Sequence, residues 1–542
     1  HNFIDILQTW ASAKLSKLEP KTAKIMATVI GEFSNFISDF TLGKKANNME
    51  IAIAGYETTL TVITCDNNQK IWATTQDNLG YAYSERIRGD KADNLERAIE
   101  AFQLALSVYT KQDLPIDWAR TQNNLGATYS ERIRGDKADN LERAIEAFQL
   151  ALEVRISKYF SMVWASTQYN LGLAYSDRIH GDQADNLELA IEAYQLALSI
   201  YTKSELYEQW ADTQNNLGIA YSKRINGDKA DNLELAIKAF QLALSVYTKS
   251  NYPEKWANTQ YNLGNAYSDR ITGDKADNLE KALEAYQLAL SVRTKQDFPQ
   301  DWANTQNNLG NVYSDRISGD KADNLERALE AYQLALSVYT KQDFPEKWAN
   351  AHYNLGNAYS KRILGNSADN IENAIASYQN ASEIYTREAF PEDWADIQRN
   401  IGKLLVQRGS WYDGLSRLEQ SLAIYRQTEN LEARADAIYH IARTHHLMMN
   451  LDKARIHYRD ALRIYEYIKN QEGIAACKTG LGRLMISLGF IDDAKEELTQ
   501  ACEIYHTLKD NQKIDNFQEI FQLLAKSKIN KLKKLNPSHS HE

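Results

Sequence analysis

Cysteine and proline are scarce in this chain, three and seven respectively in 542 residues. Three scattered thiols, Cys65, Cys477 and Cys502, point to reduced, cytosolic packing residues rather than a disulfide framework. So few prolines leave long helices almost uninterrupted. No apolar run reaches the roughly 18 to 20 residues that a membrane span requires, and no leader-like segment opens the chain. Net charge is −10 and no Lys/Arg stripe recurs, which argues against a nucleic-acid surface. The one basic run, from Lys526 to Lys534, is short and terminal, and reads as a solvated helix end. Gly-rich phosphate loops, His-Glu-x-x-His pairs and Gly-x-Ser-x-Gly elbows are all lacking, so neither enzymatic activity nor a cofactor is expected. A cytoplasmic protein that acts without chemistry, membrane or nucleic acid is what these absences leave.

What the chain has is repetition. Trp72, Trp118, Trp164, Trp210, Trp256, Trp302, Trp348 and Trp394 stand 46 residues apart, and Asn-Leu-Gly recurs in the same step from Asn78 onward. A fixed period in this range signals a tandem array. Within one unit, Trp118, Leu125, Tyr129 and Ile133 fall on one helical face. After Gly135-Asp136-Lys137-Ala138 a second helix is expected from Asp139, with Leu141, Ala144, Ile145, Phe148, Ala151 and Leu152 on its apolar face. Asp139 and Glu142 have the spacing of a capping box, repeated as Asp93/Glu96 and its counterparts, which places the helix start at the aspartate. Pro115, Pro253, Pro299, Pro345 and Pro391 mark the first turn of leading helices, and Gly89 and its counterparts are expected to end them.

Leu79-Gly80-Tyr83 followed by Ala98, Phe102 and Ala105 resembles the signature of tetratricopeptide repeats. Two departures stand out: the unit is longer than about 34 residues, and Gln76 occupies the place of the family's tryptophan, which has moved one helical turn earlier. The resemblance implies an all-α, right-handed superhelical solenoid of about eleven helix-turn-helix units, of the extended bacterial type. Residues 1–25 would form an N-terminal end helix, 26–71 a degenerate unit, 72–393 seven units of 46 residues and 394–513 three of 40. Residues 514–542 would supply a capping helix and basic tail. The chain opens on His1, which leaves room for a longer polypeptide.

Two candidate ion sites carry little. His440, His445, His446 and His457 have poor same-face spacing for a metal, and Asp90, Asp93 and Glu96 are accounted for by capping without calcium. Arg86, Arg132, Arg178, Arg224, Arg270, Arg316 and Arg362 are expected to pair with these acids along one edge, each exposed pair contributing under about 1 kcal/mol.

The resemblance assigns the inner, concave wall to the leading helices. On that wall Asn78, Asn124, Asn170, Asn216, Asn262, Asn308, Asn354 and Asn400 occupy a position where helix propensity prefers Ala or Gln. An amide both donates and accepts, so a row of them suits the backbone of an extended peptide, and the row resembles the asparagine ladder of the O-GlcNAc transferase repeat array. The alternative is that each amide bonds a neighbouring helix and holds the repeats in register. Two residues after each leucine come Tyr81, Ala127, Leu173 and Ile219, then Asn265, Asn311 and Asn357, then Lys403. The wall would pass from apolar to amide-rich to basic, ending in Lys361, Arg399 and Lys403. With helices roughly 8 to 10 Å apart, eight units would span on the order of 80 Å, enough for about 24 extended residues.

The function expected is a scaffold that captures a partner protein or extended peptide, with acidic side chains toward Lys403. The alternative is the sensor arm of a larger signalling or defence effector. Self-association through poorly capped ends is open to such an array.

Overall fold

In a computed structural model the described residues are 2–40, 44–154, 161–510 and positions 513, 514, 517 and 521. They form 23 helices and no strand: this is an all-α repeat fold. The chain divides into two compact units, His1–Val292 and Arg293–Glu542.

The first unit opens with α1 (Asn2–Leu15) and then stacks six hairpins. Their leading helices are α2 (Pro20–Ser38), α4 (Gln69–Ser84), α6 (Pro115–Glu131), α8 (Ser161–Asp177), α10 (Tyr207–Lys223) and α12 (Pro253–Ser268). The trailing partners are α3 (Lys45–Leu60), α5 (Lys91–Leu106), α7 (Lys137–Leu152), α9 (Gln183–Leu198), α11 (Lys229–Leu244) and α13 (Lys275–Leu290). The second unit stacks five hairpins, from α14 (Pro299–Asp315) with α15 (Lys321–Leu336) to α22 (Gln471–Leu488) with α23 (Ile491–Thr507). Between them lie α16 (Pro345–Lys361), α17 (Ser367–Ser382), α18 (Pro391–Arg408), α19 (Trp411–Tyr425), α20 (Leu431–Leu447) and α21 (Leu451–Tyr467).

Each of the long hairpins, from α4–α5 to α16–α17, closes because a glycine on the leading helix lets an aromatic ring of the trailing helix come within contact of backbone. A Cβ on Gly80 would sit 2.8 Å from the Phe102 ring, and one on Gly218 would sit 2.6 Å from Phe240. Around that contact Leu79, Tyr83, Ala98 and Phe102 are buried together with Met49 and Ile53 of the preceding trailing helix. Each fully buried Leu or Phe contributes roughly 1.5 to 3 kcal/mol. The tryptophans are only half-buried and belong to a separate seam: Trp72 and Trp118 flank Ala73, Ala105 and Tyr109 where two hairpins meet. Within the first unit successive leading helices from α2 to α12 also touch one another, and no comparable contact joins the trailing helices. The leading helices therefore form one wall on the tighter side of the stack.

Three local expectations are corrected. Trailing helices are capped by Asp90 and Asp136, not by Asp93 and Asp139: Asp136 Oδ1 accepts from the Asp139 N–H at 3.0 Å. Of two aspartates three residues apart, the earlier one wins because Gly135, at φ +81°, turns the chain straight into it. Gly89 and Gly135 accordingly shape the inter-helix turn and do not terminate the leading helix, which stops at Ser84 in α4 and Glu131 in α6. Ile133 lies past the end of α6 and is exposed, so it is not part of that helix's apolar face. In the shorter units the turn is gone: Gly409 itself caps α18 in the left-handed conformation and α19 begins two residues later.

The end helix and basic tail expected over 514–542 lie outside the described residues, apart from Ile514, Phe517 and Phe521. These three join a cluster with Leu498, Ala501 and Tyr505 of α23. Among the described residues no helix is long and apolar enough to cross a membrane.

Candidate interaction surface

All eight ladder asparagines are half-buried, each next to a buried leucine or isoleucine. The bonds they make are largely with the preceding hairpin. Asn170 Nδ2 donates to Asn123 Oδ1 at 3.1 Å, Asn216 Nδ2 to the Tyr169 hydroxyl at 2.9 Å, and Asn78 Nδ2 to Asn35 Oδ1 at 2.8 Å. In the second unit Asn400 Nδ2 reaches the Tyr353 hydroxyl at 3.5 Å, and Asn354 Nδ2 turns to Asn350 of its own helix. For Asn170, Asn216 and Asn400 the acceptor sits one residue before the equivalent ladder position, whereas Asn78 reaches Asn35, three residues after it; in each case the amide ties adjacent leading helices together. An amide has two donors and two acceptor lone pairs; one donor is used by each of these bonds.

The position two residues after the leucine is resolved more sharply. Tyr81 and Leu173 are exposed, at 45% and 37%, while Ala127 and Ile219 are half-buried. Asn265, Asn311 and Asn357 are committed to the trailing helix: their Oδ1 atoms accept from the hydroxyls of Tyr286, Tyr332 and Tyr378 at 2.7, 2.8 and 2.6 Å. Where the trailing helix carries Phe102, Phe148 or Phe240 instead, the paired position is Tyr81, Ala127 or Ile219. The amide-rich stretch thus has an internal cause, the need of a buried hydroxyl for an acceptor.

The basic end is charge-compensated, against expectation. Arg399 Nη2 lies 2.9 Å from Asp396, its Nε lies 3.3 Å from Asp436 without hydrogen-bond alignment, and Lys403 Nζ is 3.8 Å from Asp436. The reason is that α20 presents Asp436 to the cations of α18. Burial would push this carboxyl up, but His440, Lys403 and Arg399 around it outweigh burial and hold it well below the usual carboxylate range. A cavity of about 470 Å³ opens here, lined among others by Asp396, Arg399, Glu432, Asp436 and Glu472, so carboxylates outnumber cations. Lys361 ends α16.

The four histidines take separate partners. His440 Nε2 is 3.3 Å from Asp436 Oδ1, His446 Nε2 is 3.1 Å from Ser487 Oγ, and His445 stacks on His457. Among the described residues no group of three or more His, Cys, Asp or Glu side chains is placed to hold a metal ion.

Sequence reasoning missed a second row. Ile87, Ile133, Ile179, Ile225 and Ile271 in the first unit, and Ile317 and Ile363 in the second, are 57–64% exposed at one point in every long inter-helix turn. The available signal was Arg-Ile-x-Gly repeating at the ruler's step. The arginine before each isoleucine is drawn toward the preceding hairpin, as in Arg178 to Glu142 at 2.7 Å, and leaves the isoleucine outside.

The tetratricopeptide repeat family pattern matches residues 393–467, spanning α18 to α21. Over those residues the repeats are of the tetratricopeptide type. The soluble NSF attachment protein family pattern matches residues 297–420, which run from α14 into α19. No curated protein matches the sequence. Among solved structures the chain is similar to the apo form of RapI, at 16% identity and TM-score 0.49, covering 73% of this chain and 98% of that one. It is similar to a Rap protein complexed with competence and sporulation factor at 14% identity and TM-score 0.41, covering 74% and 99%. It is also similar to a signal-transduction ATPase with numerous domains and a tetratricopeptide repeat sensor, from Pyrococcus horikoshii. That match has 13% identity and TM-score 0.44, covering 93% and 90%.

Proposed function

We propose that this tetratricopeptide array is a non-catalytic interaction scaffold of the cytoplasm, and that a partner protein or extended peptide lies along the inner wall of leading helices. The observation that carries the reading is the half-exposure of every ladder asparagine, from Asn78 to Asn400, beside residues that are buried. Cross-hairpin bonds hold Asn78, Asn170, Asn216, Asn262 and Asn400 in place, and an amide has donors and acceptors enough to bond a peptide backbone as well. Tyr81 and Leu173 add exposed apolar area on the same wall. Acidic side chains in the partner are not part of the proposal, because Asp396 and Asp436 already answer the cations at the far end.

The test is site-specific photo-crosslinking in lysate. A crosslinker at position 173 or 219, on the leading helices, is expected to capture one discrete partner. The same group at Leu104 or Leu196, exposed on trailing helices, is expected to capture none. Equal labelling from both sets, or labelling from the trailing set alone, would overturn the reading. Substituting Asn216→Ala, Asn262→Ala and Asn308→Ala together is expected to abolish the capture from position 173 while the thermal midpoint is followed as a control.

A further inference from the structure

Near the end of each long leading helix a tyrosine recurs at every 46-residue step, from Tyr83 to Tyr359, and at the next step the residue is Leu405. The hydroxyl of these tyrosines is bonded from the hairpin before. Gln103 Nε2 donates to the Tyr129 hydroxyl, and Gln149, Gln195, Gln241 and Gln333 donate likewise to Tyr175, Tyr221, Tyr267 and Tyr359, all at 2.9–3.3 Å. The arginine three residues after the tyrosine lies by the same ring: the guanidinium carbons of Arg86, Arg132 and Arg178 are 5.7–6.0 Å from the centres of Tyr83, Tyr129 and Tyr175. That is within the range of a cation–π attraction.

At Leu405 the partners of such a ring are present and the ring is not. Gln379 of α17 precedes Leu405 by 26 residues, the separation within every one of those glutamine–tyrosine pairs. Its side-chain amide takes no hydrogen bond among the described residues. Arg408, three residues after Leu405, reaches back to Glu372 at 2.6 Å as the other arginines reach their glutamates. Over the leucine lies a cavity of about 570 Å³, lined by Gln379, Arg408, Ile375, Ile401 and Leu405 among others. The three aliphatic residues are 4–8% exposed, so the floor of the cavity is the edge of the core. Asp413, also on the lining, stands where α5 carries Arg97, whose Nη1 donates to the Tyr83 hydroxyl at 2.9 Å. The shorter acid leaves the place uncovered.

We infer that this cavity is a socket for a phenol ring that comes from outside the chain, bound as the long repeats bind their own tyrosine. The ring rests on Ile375, Ile401 and Leu405 beside the Arg408 guanidinium, and its hydroxyl accepts a hydrogen bond from Gln379 Nε2. Space is ample, since a cavity of about 150 Å³ is enough to hold benzene. Glu372 and Asp413 at the rim repel a negative charge, which selects a neutral phenol over an aromatic carboxylate of the same shape.

Ligand-observed NMR titrations of the full chain test this with p-cresol, toluene and N-acetyl-tyrosinamide. The wild type is expected to bind p-cresol about three- to tenfold more tightly than toluene, the net effect of one hydrogen bond. Gln379→Ala is expected to bring p-cresol down to the affinity of toluene. Leu405→Tyr supplies the ring from within, and is expected to abolish p-cresol binding while raising the thermal midpoint. N-acetyl-tyrosinamide bound as well as p-cresol assigns the socket to a tyrosine side chain of another polypeptide, and its exclusion assigns it to a free phenol. No binding of p-cresol, equal binding of toluene, or p-cresol affinity unchanged by either Gln379→Ala or Leu405→Tyr would overturn the proposal.

Discussion

The Arg132 guanidinium grips the Glu96 carboxylate of the preceding hairpin through two parallel bonds, Nε to Oε1 and Nη2 to Oε2, each 2.8 Å. Its third nitrogen, Nη1, donates to Asn140 Oδ1 at 3.2 Å, and Asn140 in turn donates to the Arg134 carbonyl at 2.8 Å. One side chain thus joins the trailing helix before it, the turn it sits in and the trailing helix after it. The same clasp recurs as Arg178 with Glu142, Arg224 with Glu188, Arg270 with Glu234 and Arg362 with Glu326.

A double-mutant cycle on Arg132→Gln and Glu96→Gln is expected to give a coupling of about 1 kcal/mol, the upper end for a partly exposed pair because the geometry is bidentate. Urea denaturation at low and high salt measures it. Full additivity of the two substitutions would mean that the clasp contributes nothing beyond its separate residues.

Acid should loosen these clasps. The hydrogen bond from arginine holds Glu96, Glu142, Glu188, Glu234 and Glu326 below the ordinary glutamate value of 4.5. A depressed folded value means that the unfolded chain binds more protons, so the stabilisation is present above 4.5 and is lost as pH falls through the folded values. The urea midpoint is expected to drop between about pH 5 and pH 3, and to drop less steeply in a variant carrying Glu142→Gln, Glu188→Gln and Glu234→Gln. Parallel slopes in the two proteins would contradict this. Each side chain is partly exposed to water, so each pair contributes under about 1 kcal/mol.

Asn311→Leu is expected to cost about 1 to 3 kcal/mol, because it strands the buried Tyr332 hydroxyl. Adding Tyr332→Phe should recover most of that loss, reproducing the pairing that Ile219 and Phe240 already have. A double variant as unstable as the single one would show that Asn311 acts through something else.

Gly218→Ala raises helix propensity by up to about 1 kcal/mol but places a Cβ 2.6 Å from the Phe240 ring. Overpacking of that kind costs roughly 1 to 3 kcal/mol, so the net effect on the thermal midpoint is expected to be destabilising. Phe240→Leu in the same chain should soften it. An alanine variant more stable than wild type would mean that the ring has room to move.

Much of this architecture is legible from residues alone. Leu79-Gly80, Tyr83, Ala98 and Phe102 are enough to predict paired helices, since each has a packing job that few other residues fill. The prolines at positions 115, 253, 299, 345 and 391 do start their helices. The caps were less legible. Asp90 and Asp93 offer the same chemistry three residues apart, and only the left-handed Gly89 before them decides which is used. The partners of Asn265, Asn311 and Asn357 lie on the other helix of the hairpin, 21 residues away, so propensity along one helix gives no hint of them. Comparing repeats does: asparagine appears with Tyr286, Tyr332 and Tyr378, and not with Phe102, Phe148 or Phe240. Tyr194 is the exception, with Leu173 opposite it, and its hydroxyl turns to Ser176 Oγ at 3.3 Å. The compensation of Arg399 by Asp436 was hidden for a similar reason, because the acid comes from the next leading helix along.

The arginine clasp spans two neighbouring units at an unvarying stride of 36 positions. Excising or inserting any whole 46-residue cassette therefore rejoins ends that already fit, with each new neighbour offering the glutamate its arginine needs. Unequal recombination within such a gene can lengthen or shorten the protein without a faulty joint, which makes reach a quantity the lineage can adjust in whole steps.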